Sequence, residues 1–138
     1  MTSKDERQTR ADFSDRYRAR AVAHVIDDIE RSVIGDVWGA SGFTTVAEAR
    51  EMLRLLALRP GSRLLDVGSG FGWPGLYIAR ESGCEVVVTD MPTEGLEISL
   101  RRASAERIES LGAVACSARH PPFAGGSFDA IVHSDVLC

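Results

Sequence analysis

Residues 64–75 read Leu-Leu-Asp-Val-Gly-Ser-Gly-Phe-Gly-Trp-Pro-Gly, an apolar run that breaks into alternating glycines before a proline. Glycines at 68, 70 and 72 adopt positive φ without strain and let a ligand lie against the backbone. Pro74 suits the first turn of a helix, where its missing N–H costs nothing. The β-branched run at 85–89 ends in Asp90, eighteen positions after Gly72. A carboxylate at the C-terminal edge of a strand can accept both hydroxyls of a ribose. Together with Asp66 inside the first apolar run, these features imply a nucleoside-containing ligand lying across the glycine turn.

The elements that must position these residues follow from periodicity. Val22, Ile26, Ile29 and Val33 recur at three- and four-residue steps, predicting one amphipathic helix over 14–34 that Gly35 stops. Thr45 to Glu48 has capping-box spacing, and Val46, Ala49, Met52, Leu53 and Leu56 form a stripe, predicting a second helix to about Leu58. Strand 63–67, a helix from Pro74, strand 85–89, a helix over 93–111, strand 113–116, a loop over 120–127 and strand 128–132 complete the pattern. Alternating strands and helices imply a parallel sheet with helices on both faces.

The chain has 138 residues, a one-domain length, with 44% hydrophobic and 26% charged residues, which is the composition of an ordinary globular protein. Sixteen basic against twenty acidic side chains give a net charge of −4, so nothing general attracts nucleic acid or an anionic membrane. Cys84, Cys116 and Cys138 lack C-x-x-C spacing and accompany three histidines, which suggests neither a disulfide framework nor a zinc site. With a polar N-terminus and no apolar run of membrane-spanning length, the expectation is a cytoplasmic protein.

In this order of motifs the sequence resembles the class I S-adenosylmethionine-dependent methyltransferases, of the broad small-molecule type whose first motif reads acid-x-Gly-x-Gly-x-Gly. Residues 66–72 match that motif at every fixed position, Val88-Thr89-Asp90-Met91 stand as the second, and Pro122-Phe123 with 128–132 stand as the later ones, over roughly 43–137. The resemblance implies a Rossmann-like, doubly wound α/β domain over 43–138 behind an N-terminal helical segment, 1–42. It implies S-adenosyl-L-methionine as cofactor and a small-molecule methyl acceptor. Carried over by residue, Asp66 and the backbone of Gly68 and Gly70 hold the methionine part, Gly72 completes the turn, Asp90 takes the ribose and Met91 lines the adenine. Where such enzymes often place an acid after the third strand to bond the adenine amino group, this sequence has Ser117, followed by Ala118. Adenine recognition then falls to a hydroxyl or to the backbone.

Methyl transfer from a sulfonium asks a protein chiefly to align the acceptor and exclude water. For a hydroxyl or acidic carbon a general base helps, and His133, just beyond the last predicted strand, is the candidate; a plain strand-end role is its alternative. His120 reads as a surface residue and His24 as structural. His133-Ser134-Asp135-Val136 replaces the Pro-Pro-aromatic run of amino-methylating relatives, which disfavours adenine or glutamine-side-chain methylation, while Asp135 offers a carboxylate to a polar acceptor. Tyr17, Trp38 and Phe43 lie on or beside the N-terminal segment that closes as a lid in similar enzymes, with core packing as the other explanation for Trp38 and Phe43.

A dinucleotide-binding oxidoreductase is the rival reading, since Gly70-x-Gly72-x-x-Gly75 also spells G-x-G-x-x-G. Counted from Gly68, which directly follows the strand, the third position is Trp73, too large for close helix packing. Asp66 also favours a cationic ligand over a pyrophosphate. The resemblance implies seven strands, whereas the sequence supplies four. The expectation is therefore the cofactor half of a methyltransferase, with an inactive cofactor-binding module as alternative, and a bare sheet edge that pairs with a second copy or a completing chain.

Overall fold

The computed structural model describes residues 4–22 and 24–136; Leu137 and Cys138 lie outside the described residues. Strands β1 (Arg63–Val67), β2 (Glu85–Asp90), β3 (Ser110–Ala115) and β4 (Ala130–His133) form one parallel sheet in the order β3-β2-β1-β4. Asp66 stands beside Val88 on one side and Val132 on the other, and Val67 beside Thr89 and His133. The chain steps outward from β1 to β3 and then returns to the far side of β1. The order thus reverses between β1 and β4, where open α/β sheets form their ligand crevice at the C-terminal strand ends.

Five helices accompany the sheet among the described residues: α1 (Lys4–Val22), α2 (Val25–Ile34), α3 (Val46–Leu56), α4 (Gly75–Ser82) and α5 (Thr93–Glu106). The capping box forms as expected, with Thr45 Oγ1 accepting the Glu48 N–H at 3.2 Å and Glu48 accepting the Thr45 N–H at 2.7 Å. Ala57 in the left-handed conformation then ends α3 slightly before Leu58. The expected helix over 93–111 is shorter: Arg107 turns left-handed, Ile108 is buried from the connecting turn, and Leu111 belongs to β3.

The single helix expected over 14–34 is two. Tyr17 is buried on α1 and Glu30 on α2. Thirteen residues apart, they would lie roughly 220° apart around one continuous helix, so a straight rod could not bury both. The apolar stripe moves accordingly. Val22, Ile29 and Val33 are exposed, and Glu30 faces inward. Glu30 pairs with Arg20 and accepts the N–H groups of Trp38 at 2.8 Å and Ala40 at 2.9 Å, pinning the segment that leads to α3. A buried carboxylate is tolerated only with such partners.

The core joins Leu64, Val86, Val88 and Val132, which share one sheet face, to Ala49 of α3, Leu76 and Ile78 of α4, and Leu96 and Ala103 of α5. A second layer of helices on the opposite face was the expectation, but the connection from β3 to β4 carries no helix. Its Pro121-Pro122 and Gly125-Gly126 pairs explain why, since both residue types break helices. No described helix is long and apolar enough to cross a membrane.

Candidate functional site

The glycine turn is built from beneath. Asp66 is fully buried, and its Oδ2 accepts the N–H of Gly75, the first residue of α4, at 2.9 Å. A Cβ on Gly75 would collide with this carboxylate, so Gly75 is what lets α4 approach β1 closely. Asp66 Oδ1 has no hydrogen-bond partner. Burial, reinforced by the charge of Asp90, pushes its pKa up to about 8 against the opposing pull of the Gly75 N–H. Thr89 ties the turn to β2, its backbone oxygen accepting the Ser69 N–H and its hydroxyl donating to the Asp66 carbonyl, each at 2.9 Å. Gly68 and Gly72 have φ of +70° and +95°, and side chains there would strike Val136 and Leu76.

Asp90 ends β2 and lines the narrow crevice at the strand ends. Oδ1 accepts the Met91 N–H at 2.7 Å; Oδ2 accepts the Gly70 N–H at 2.8 Å and the Tyr17 hydroxyl at 3.1 Å. Burial raises its pKa while the two N–H groups oppose the rise. Tyr17, buried over this carboxylate, is itself shifted upward, first by burial and then by the Asp90 charge, so its hydroxyl stays a donor. Two hydrogen bonds also join α1 to α5: Ser14 and Arg18 donate to Glu94 at 3.1 and 2.6 Å.

Cavities follow the C-terminal strand ends beneath α1. One of about 240 Å³ lies at the end of β3 between Met91, Cys116, Ser117 and His120 on the sheet side and Glu6 and Arg10 on α1. A narrow one of about 50 Å³ runs between Gly68, Asp90, Met91, Cys116, Ala118 and Val136. The third, about 230 Å³, opens between Arg16, Ser41, Ser69, Gly70, Trp73 and Asp135. Ser69 Oγ is buried there without a partner. Phe43 N–H, at 3.1 Å, and Thr44 Oγ1, at 3.2 Å, donate to Asp135 Oδ2, and Thr44 also bonds Ser134.

The structure therefore brings Gly68, Gly70, Asp90, Met91, Ser117 and Ala118 to one crevice, with Asp66 and Gly72 supporting its floor. His133 ends β4 exposed, and the cavity beside it is lined by Ser134 and Asp135 instead. Trp38 belongs to the core, stacked 5.3 Å from Trp73, and Phe43 is 82% exposed; of the three aromatic lid candidates, Tyr17 covers the site. Sequence reasoning missed Glu6 and Arg16, brought to the crevice by α1, Ser41, brought by the 37–45 segment, and Cys116, at the end of β3. The spacing of Glu6, Arg10, Phe13 and Tyr17, a face with two charged groups and two aromatics, was the available signal.

A methyltransferase-domain family model matches residues 64–138, more than half of the chain. The chain is 32% identical over 97 residues to the methyltransferase GfsG of Streptomyces halstedii, covering 66% of this chain and 35% of that protein. To a demethylmenaquinone methyltransferase of Beutenbergia cavernae it is 38% identical over 85 residues, covering 62% and 33%. The chain thus spans about a third of the length of these curated relatives. Its fold matches that of a Haemonchus contortus phosphoethanolamine N-methyltransferase with TM-score 0.66 at 24% identity, over 91% of this chain and 29% of that one. It also matches an S-adenosyl-L-methionine-dependent methyltransferase of Methanococcus maripaludis with TM-score 0.64 at 17% identity, over 86% and 51%. With that family model matched over more than half of its length, and with its own glycine turn, strand-end acid and parallel sheet, the chain belongs to the class I S-adenosylmethionine-dependent methyltransferase family.

Proposed function

We propose that the chain binds S-adenosyl-L-methionine along the C-terminal edge of β1–β3 and directs its methyl group to a small-molecule acceptor at the Ser41–Asp135 end of the crevice. The observation that carries this reading is Asp90: its carboxylate is fixed by two backbone N–H groups, one of them from the glycine turn, keeps a lone pair on Oδ1, and would take the second hydroxyl of a ribose diol on Oδ2 in place of the Tyr17 hydroxyl. The residues present fit such a ligand. Ser69 offers a buried hydroxyl without a partner, and the open turn leaves the backbone of Gly68 and Gly70 within reach. The Ala118 and Ser117 backbone and hydroxyl edge the adenine end, with Met91 against it.

Bound there, the cofactor supplies a methyl group on a cationic sulfur, a leaving group that needs no further activation. The chain's own task is placement. Asp66 acts through the turn, holding Gly75 and so the start of α4. Arg16 carries the charge suited to a carboxylate at the methionine end, and Ser69 can bond either terminus. Asp135, held by Phe43 and Thr44, faces the same cavity and would orient a polar or cationic acceptor. Tyr17 and α1 close the crevice from water, which strengthens every charge interaction inside. The outer edge of β4, with Ile131 exposed, is where a second copy or a completing chain would add to the sheet.

Titration calorimetry of this chain with S-adenosylmethionine, S-adenosylhomocysteine and NAD tests the reading. Adenosyl ligands should bind and NAD should not. Asp90→Asn, which takes the charge from both ribose bonds and turns one acceptor into a donor, should weaken binding about a hundredfold, a loss of roughly 1.5 kcal/mol per bond. Equal affinity for NAD, or an Asp90→Asn variant that binds as the parent does, would refute it.

A further inference from the structure

We infer that the outward face of α2 is a dimer interface, on which a second copy of this chain lays its own α2 antiparallel across a two-fold axis through Ile29. The inference goes beyond the cofactor reading and stands independently of it. α2 is an amphipathic helix with its apolar stripe turned outward. At about 100° per residue, Val25, Ile26, Ile29 and Val33 share an arc of roughly 100°, while the buried Glu30 and Ile34 begin past its edge. The four apolar side chains are 80, 37, 61 and 54% exposed, so together they leave on the order of 300 Å² of apolar surface bare. A helix of ten residues is marginal in water by itself and takes its stability from packing an apolar face. Most of this face has no cover among the described residues.

The flanks of the face select the occupant. Asp28 and Arg31 lie together on the flank away from Glu30, both exposed and bonded to each other at 3.2 Å. Turned antiparallel about Ile29, the face meets itself in register. Ile29 packs on Ile29 of the second copy and Val25 on its Val33, while Asp28 comes within about 1.5 Å in height of the second copy's Arg31, with the same pair repeated across the axis. An exposed pair within one helix is worth little, so exchanging it for pairs between copies costs little. A lipid surface is the poorer occupant. Interfacial helices carry lysine and arginine on the polar face, whereas α2 sets Asp27, Asp28 and Glu30 against Arg31 alone. The area falls short of a standard interface, which sets the dimer at weak affinity, with Kd on the order of 100 μM.

Sedimentation velocity of the full chain between about 10 μM and about 1 mM reads the association. The parent should pass from monomer to dimer over this range. Ile29→Glu sets two carboxylates against each other on the axis and should leave the chain monomeric throughout. Asp28→Arg and Arg31→Asp, each alone, place like charges across both flank pairs and should weaken the dimer about tenfold. An equimolar mixture of these two variants should regain the parent's affinity, since each supplies the charge that the other lacks. Circular dichroism matching the parent's verifies that the surface substitutions leave the fold intact. A parent that stays monomeric throughout, a dimer that survives Ile29→Glu as one built on the β4 edge would, or a mixture no tighter than the single variants overturns the inference. Co-sedimentation of the parent with phosphatidylserine vesicles, lost in Ile29→Glu, overturns it in favour of a lipid-facing helix.

Discussion

Asp66 gives the sharpest thermodynamic test of how the site is built. Its carboxyl is sealed beneath the glycine turn, with one oxygen on the Gly75 N–H and the other unpartnered, and burial raises its pKa to about 8. The folded protein therefore holds a proton there that the unfolded chain, near an ordinary carboxylate value of about 3.9, releases. Stability from this group is fully present below the unfolded value and is lost as pH rises toward 8. The ceiling on the slope is ~1.4 kcal/mol per pH unit. With an unfolding entropy of ~2.1 cal/mol/K per residue, that ceiling is ~5 °C in Tm per unit for a chain of this size. The expected result is a Tm that falls by at least ~2 °C per unit between pH 5 and 7.5. The burial-driven rise of Asp90 acts with the same sign. Asp66→Asn keeps an oxygen for Gly75 and cannot titrate, so it should remove more than half of the slope. Differential scanning calorimetry across pH, on both proteins in the same buffers, measures this. Parallel slopes in parent and variant would refute the placement of a protonated acid under the turn.

Two further outcomes follow from the same geometry. Gly72→Ala forces a side chain into Leu76 at a φ of +95° and should cost at least about 2 kcal/mol of unfolding free energy in urea; a loss below about 0.5 kcal/mol would mean the turn relaxes freely. Tyr17→Phe removes the hydroxyl from Asp90 Oδ2 and should lower stability by about 1 kcal/mol while leaving S-adenosylhomocysteine affinity equal or tighter, because the ribose then meets an uncontested oxygen. A tenfold loss of affinity would instead make the hydroxyl part of the binding set.

The glycine turn and its two strands were legible because each residue there answers to a local rule: β1 runs over the expected 63–67, and Asp90 ends β2 as its spacing required. What escaped was long-range. Nothing local marks Glu30 as the inward residue of α2, since its burial depends on N–H groups eight and ten positions onward. The outward turn of Val22, Ile29 and Val33 is the same event seen from the apolar side. Glu6 was invisible for a related reason: its hydrogen-bond partner Ser117 lies 111 residues away, and only the course of α1 brings them together. The missing helix between β3 and β4, by contrast, was already written in Pro121-Pro122 and Gly125-Gly126.

The aromatic stack beneath the turn has an optical consequence. Both tryptophans of the chain, Trp38 and Trp73, sit 5.3 Å apart beside Tyr77, with the Arg80 and Arg102 guanidiniums over the Trp38 ring. Trp73 also forms a wall of the cavity beside Ser69 and Gly70, its indole N–H fixed on the Thr44 carbonyl at 3.0 Å. Because both tryptophans stand in this one cluster, a change in intrinsic fluorescence on adding a ligand would report on the crevice and on the 41–45 segment without any attached label.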